Sequence, residues 1–193
     1  QELGRLRPDV IMLSLGGFGR KGEMSHYAAL HSGVVMGSGL AAITGYPGGR
    51  PRLMGAILPD PLSGLYSCLA ILEALHCRQR TGQGQYIDLS MAEATTMLLP
   101  ELILDYAMNG RVPQPVGNRH QSFAPHGNYP CQGDDQWMGI AVTNEGQWNA
   151  LCRTLGCPEM LEDPRFADAL SRWGNQEALD QLLAVITRQR DGL

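Results

Sequence analysis

Residues 59–94 read PDPLSGLYSCLAILEALHCRQRTGQGQYIDLSMAEA, and the punctuation of this stretch sets the architecture. Pro59-Asp60-Pro61 places an Asp at an N-cap and a Pro in the first helical position. Leu62, Leu65, Leu69, Leu72 and Leu75 follow at spacings of three and four, which predicts a helix with one deeply buried face. Arg78 and Arg80 complement the dipole of its last turn, and Thr81-Gly82-Gln83-Gly84 stops it. Tyr86 to Leu89 reads as a short strand. Met91 to Asn109 reads as a second helix, N-capped by Ser90, with Glu93 in its first turn and Gly110 closing it.

Upstream, Val10 to Leu15 is an apolar run ending in glycines, the pattern of a buried strand feeding a tight loop. His26 to Thr44 is rich in small residues, with Gly33 and Gly37 one turn apart, and predicts a closely packed helix. Downstream, Arg111 to Pro125 turns to Pro, Gly, Asn and His without periodicity, which marks a boundary or an ordered active-site loop. Asn128 to Val142 predicts a hairpin turning at Gly133-Asp134-Asp135, with Trp137, Gly139 and Ala141 alternating against Met138, Ile140 and Val142 on its second strand. Glu145 to Leu155 and Gln176 to Thr187 have helical periodicity, joined through Pro158 and Pro164.

Composition narrows the function. The 193 residues are 44% hydrophobic and 18% charged, an ordinary globular balance, and the net charge of −4 gives no footprint for nucleic acid. Apolar stretches are too short to span a bilayer, so no membrane partner is expected. Five cysteines without a CxxC pair or a zinc-ligand histidine spacing argue against a metal site and point to a reduced, cytoplasmic setting. The chain opens at Gln1 without a targeting segment and reads as a fragment.

Gly17-Phe18-Gly19-Arg20-Lys21-Gly22 matches GxGxxG after a strand. A dinucleotide site also needs a helix starting inside the motif and an acid about 20 residues on. Here the next acid after Glu23 is Asp60, so the glycines read as a sharp bend instead.

Three blocks together, Ser14 to Gly22, Thr44 to Gly64 and Ala74 to Ala94, resemble the family III CoA-transferases, the CaiB/BaiF group. Gly117-Asn118, Pro125-His126-Gly127, Trp148 and Arg165-Phe166 extend the resemblance along the chain. It implies an α/β fold: residues 1–112 as part of a Rossmann-like large domain, 113–126 as a linker or active-site loop, and 127–193 as an incomplete smaller α+β domain. It also implies coenzyme A and acyl-CoA as substrates with carboxylic acids, no metal, and an interlocked homodimer in the full-length protein. Much of the family's CoA-binding surface lies in a segment missing here.

The family's nucleophile is an Asp at the start of a long helix, the position of Asp60. Helix N-terminal N–H groups and the dipole favour a charged carboxylate there. Judged alone, Asp60 is an ordinary N-cap contributing about 1 kcal/mol; only the surrounding blocks assign it chemistry. Gly17, Phe18, Gly19, His31, His120 and His126 are the accompanying candidates for binding substrate or CoA, while Asp88 reads as structural. Many members carry an aspartate where His31 stands, and the glycine lid of the formyl-CoA transferases is replaced by Arg119 to Ala124. Racemases of the same fold pair the aspartate with a histidine whose slot is Leu30, one helical step of about 100° from His31, so transfer is favoured over racemisation. A non-catalytic truncated or binding fragment is the third reading.

Overall fold

In the computed structural model, which describes residues 2–55 and 57–192, the apolar run becomes β1 (Met12–Gly16), parallel to β2 (Tyr86–Ser90) in the register Met12 to Tyr86 through Gly16 to Ser90. Parallel neighbours need a long crossover. It is built from α2 (His31–Gly37), α3 (Leu40–Ile43) and α4 (Pro59–Thr81), with α1 (Glu2–Leu6) ahead of the sheet and α5 (Met91–Thr96) and α6 (Pro100–Asn109) behind it. Contacts divide the chain into two units, one running to Pro115 and the other starting at Val116.

In the first unit the glycine turn after α4 docks directly on the segment leading into β1. The Gly84 N–H donates to the Pro8 carbonyl at 2.8 Å. A Cβ at Gly84 would lie 1.9 Å from the Val10 carbonyl oxygen. Gly82, at φ +70°, caps α4 through its N–H to Arg78, and Arg78 itself reaches the Asp9 carbonyl at 3.3 Å. Val35, Leu40, Ala41 and Leu99 form the small core of this unit.

Four local readings need correction. The helix expected over His26 to Thr44 begins only at His31 and breaks at Gly39, whose φ of +85° leaves the right-handed helical region. The helix expected over Met91 to Asn109 is interrupted by Pro100, which restricts Leu99 to φ −120° and restarts the chain as α6. Asp60 is not an N-cap: Leu58 already has helical dihedrals, Pro59 takes the first helical position, and Asp60 lies in the first turn. The leucine face of α4 is not deeply buried either. Leu65, Leu69 and Leu72 are 70%, 55% and 63% exposed, whereas Pro59, Ser63 and Ala74 are buried. The helix approaches its neighbours through small residues, and the leucines fall on the uncovered side.

The second unit carries the expected hairpin, β3 (His126–Pro130) antiparallel to β4 (Trp137–Ala141), followed by α7 (Glu145–Thr154), α8 (Ala169–Gly174) and α9 (Gln176–Thr187). Of the two alternating sets, that of Met138, Ile140 and Val142 is the one turned inward: Met138 and Ile140 pack on a core that includes Val142, Trp148, Phe166 and Leu179. Asn144 and Asp168 cap α7 and α8 through their side chains.

Arg172 sits inside this core at 1% exposure. Its guanidinium donates to the Ala124 and Phe166 carbonyls at 3.2 and 3.1 Å, pairs with both Glu145 oxygens at 2.6 and 3.0 Å, and lies 5.0 Å from the Trp148 ring centre. The hydrogen bonds from Arg172 hold the Glu145 carboxyl below its ordinary range. A carboxyl depressed by folding stabilises the native state above its unfolded pKa and loses that contribution as pH falls through its folded value.

Four substitutions test these contacts. Gly84→Ala destabilises the chain by about 3 kcal/mol through backbone overpacking. Gly64→Ala, in mid-helix with nothing within 4 Å of its added methyl, is neutral or stabilising by up to about 1 kcal/mol; thermal unfolding followed by circular dichroism compares them. Arg172→Met costs about 3 kcal/mol because two buried carbonyls lose their donor. Glu145→Gln costs about 1 kcal/mol at neutral pH, since this carboxylate is half exposed, and shrinks the loss of stability on acidification. All three tryptophans lie in the second unit, so indole fluorescence during urea unfolding of the intact chain reads that unit directly.

Candidate functional site

The chain leaves β1 in a bend that hydrogen bonds and close packing hold. The Gly17 carbonyl accepts the Ala92 N–H at 2.9 Å, and a Cβ at Gly17 would fall 1.8 Å from that of Ala29. Gly19 has φ +76°. Both Asp88 oxygens accept the Arg20 N–H, at 3.0 and 3.1 Å, while Arg20 Nε donates to Ser14 Oγ at 2.7 Å. The Phe18 ring lies so close to Gly37 that a Cβ there would be 2.9 Å from it. No helix starts within the GxGxxG segment; the next begins at His31. The motif is a bend tied to β2 and α5, as expected, and Asp88 is its structural anchor.

Helix α4 packs against β1, β2, α2 and α5, so Asp60 is carried on the same framework as this bend. Its side chain is exposed and takes part in none of the ion pairs among the described residues. His31 opens α2 and is half-buried. Its Nδ1 is buried and has no hydrogen-bond partner among the described residues. Asp60 and His31 therefore each stand in the first turn of helices that pack together.

His120 and His126 come together in the second unit. Their ring centres are 5.3 Å apart, and His120 stacks on Phe123 at 4.3 Å. His126 lines an open cleft of about 490 Å³ with Asn118, Arg119, Asn128 and Gly139. Behind the cleft, Arg119 makes two 3.2 Å hydrogen bonds to Asp180, whose other oxygen accepts the Tyr129 hydroxyl at 2.6 Å. Burial, followed by the bond to Asp180, pushes the Tyr129 phenol far up, so it remains a donor. Sequence reasoning missed the Tyr129-Asp180-Arg119 chain and the Arg172-Glu145 pair. Their partners lie far apart along the chain, and no local pattern signals them.

Among the described residues no helix is long and apolar enough to cross a membrane, and no group of three His, Cys, Asp or Glu side chains is placed to hold a metal ion.

The family described as CoA-transferase family III matches residues 1–192. The chain is 36% identical to the acetyl-CoA:oxalate CoA-transferase of Acetobacter aceti, across 95% of this chain and 47% of that protein. It is 36% identical to the succinyl-CoA–D-citramalate CoA-transferase of Chloroflexus aurantiacus, across 97% of this chain and 46% of that protein. A crystal structure of a CaiB/BaiF family protein from Brucella suis superposes with a TM-score of 0.88 at 33% identity, covering 98% of this chain and 50% of that one. The chain thus spans about half the length of the relatives it matches.

Thiol chemistry is disfavoured where the cysteines are buried. Burial raises the Cys152 thiol to about 12 and also raises Cys157, and the five described cysteines are unpaired. At mildly alkaline pH an aromatic disulfide reagent is expected to modify exposed Cys68 first. Cys152 and Cys157 should react only as the second unit unfolds, which peptide mapping of the time course checks.

Proposed function

The chain belongs to CoA-transferase family III, and from that premise we propose that the protein moves coenzyme A between carboxylic acids, with Asp60 as the nucleophile. The observation that carries this reading is an exposed carboxylate, free of any ion pair among the described residues, in the first turn of α4. Helix N-terminal position favours its charged form. The curated relatives act on oxalate, succinate, glutarate, malate and citramalate as their names state, which supports small carboxylic acids as the substrate class.

The reaction runs in four balanced steps. The Asp60 carboxylate attacks the acyl-CoA carbonyl, the thioester breaks, and a mixed aspartyl anhydride forms with release of CoA thiolate. The thiolate attacks the aspartyl carbonyl of the anhydride, giving an aspartyl-CoA thioester and the free donor acid. The acceptor carboxylate attacks this thioester and re-forms an anhydride, again releasing thiolate. Attack of the thiolate on the acceptor's acyl carbonyl yields the new acyl-CoA and restores Asp60. Backbone N–H groups of the bend at Gly17, Phe18 and Gly19 are the proposed oxyanion donors.

In this reading residues 1–112 belong to a large domain and 127–193 to an incomplete small one. The working protein is a cytoplasmic homodimer. The unpaired cysteines support a reducing compartment, and the uncovered Leu65, Leu69 and Leu72 support a surface that further chain or a second copy covers. A second reading, racemisation of a 2-methylacyl-CoA by Asp60 and His31, draws support from the unpartnered Nδ1 of His31.

In the intact gene product, Asp60→Ala is expected to lower CoA exchange by at least about 1,000-fold. Hydroxylamine should inactivate the wild type only when acyl-CoA is present. Exchange that survives Asp60→Ala would sink the proposal, and solvent deuterium entering the 2-position would favour the second reading.

A further inference from the structure

Hydrogen bonding fixes which ring nitrogen of each cleft-loop histidine carries the proton. His126 Nδ1 lies 2.6 Å from the Asn118 carbonyl oxygen, which can only accept, so Nδ1 holds the hydrogen. In the neutral ring Nε2 is then a bare acceptor. His120 is the reverse: its Nδ1 accepts the Ser122 N–H at 3.1 Å, so the hydrogen sits on Nε2. No hydrogen bond joins the two rings among the described residues, and each keeps a free Nε2 of opposite character.

The cleft beside them has a second fixed element. Arg119 spends Nε and one terminal nitrogen on Asp180, which leaves Nη1 as a free donor group. Tyr129, buried and pointing its hydroxyl at Asp180, holds that carboxylate and with it the Arg119 fork. Gly139, on the facing strand, brings no side chain, and Asn128 already fills the space next to it. A ligand matching this wall needs an acceptor for Arg119 and a hydrogen to give to His126. A plain carboxylate has the first and lacks the second.

We infer that the cleft binds a hydroxycarboxylate, the carboxylate on Arg119 Nη1 and the hydroxyl donating to His126 Nε2. The inference concerns this cleft alone: the binding is measured without acyl-CoA and stands or falls separately from the transfer reading above. The Asp60→Ala chain keeps the same binding preference.

Calorimetric titration of the full chain at about pH 8, where imidazole is ordinarily neutral, compares L-malate with succinate, which differ by one hydroxyl. Malate is expected to bind about 10-fold more tightly, the worth of one hydrogen bond to a half-buried partner. His126→Phe brings the two affinities together, and Arg119→Gln weakens both ligands alike. Equal affinities in the wild type, or a malate preference that persists in His126→Phe, overturns the inference. Should either variant lose its native indole fluorescence, nitrogen-15 resonances of the wild-type imidazoles decide: malate must shift His126 Nε2 more than succinate does, and an unmoved Nε2 overturns it. Coenzyme A carries a hydroxyl beside a carbonyl in its pantoyl unit, so displacement of malate by CoA would reassign the cleft and overturn the claim for a free acid.

Discussion

The first unit depends on the parallel pairing of two five-residue strands that stand at opposite ends of a long crossover. Such pairing is costly in loop entropy, and a sheet of two strands has little area with which to offset it. The chain compensates with contacts at both ends of the ladder. Below it, the Gly84 turn is pressed on Pro8 and Val10; above it, Asp88 grips Arg20 and the Gly17 carbonyl receives Ala92. The same contacts that hold the strands in register therefore shape the bend after β1, and α4, which carries Asp60, packs on the same two strands.

The second unit solves a different problem. Its core surrounds a guanidinium, and burying that charge is tolerated because every face of it is occupied by Glu145, two carbonyls or the Trp148 ring. A parallel arrangement on a smaller scale runs from Tyr129 through Asp180 to Arg119. In both, a buried donor sets a carboxylate or a carbonyl that in turn sets a group nearer the surface.

Much of this was readable in advance where the signal is local. Thr81-Gly82-Gln83-Gly84 stops α4 because Gly82 takes positive φ, Ser90 caps α5, and the two-residue alternation of β4 separates a core-facing set from an outward one. Pro100 is an equally local signal, and it accounts for the break at Leu99. The leucine stripe of α4 misled for another reason: periodicity states which residues share a face, not which side has a partner. The Glu145-Arg172 and Arg119-Asp180 pairs were invisible because their members lie 27 and 61 positions apart. Chemistry was legible only through the family blocks, since an Asp between two prolines has no feature of its own that separates a nucleophile from a helix start.

Arg172 also holds the Ala124 carbonyl, at the end of the loop that carries His120. One guanidinium thus fastens the end of that loop and the first residue of α7 to a single buried point, so the loop is moored to the core by a charge rather than by apolar packing.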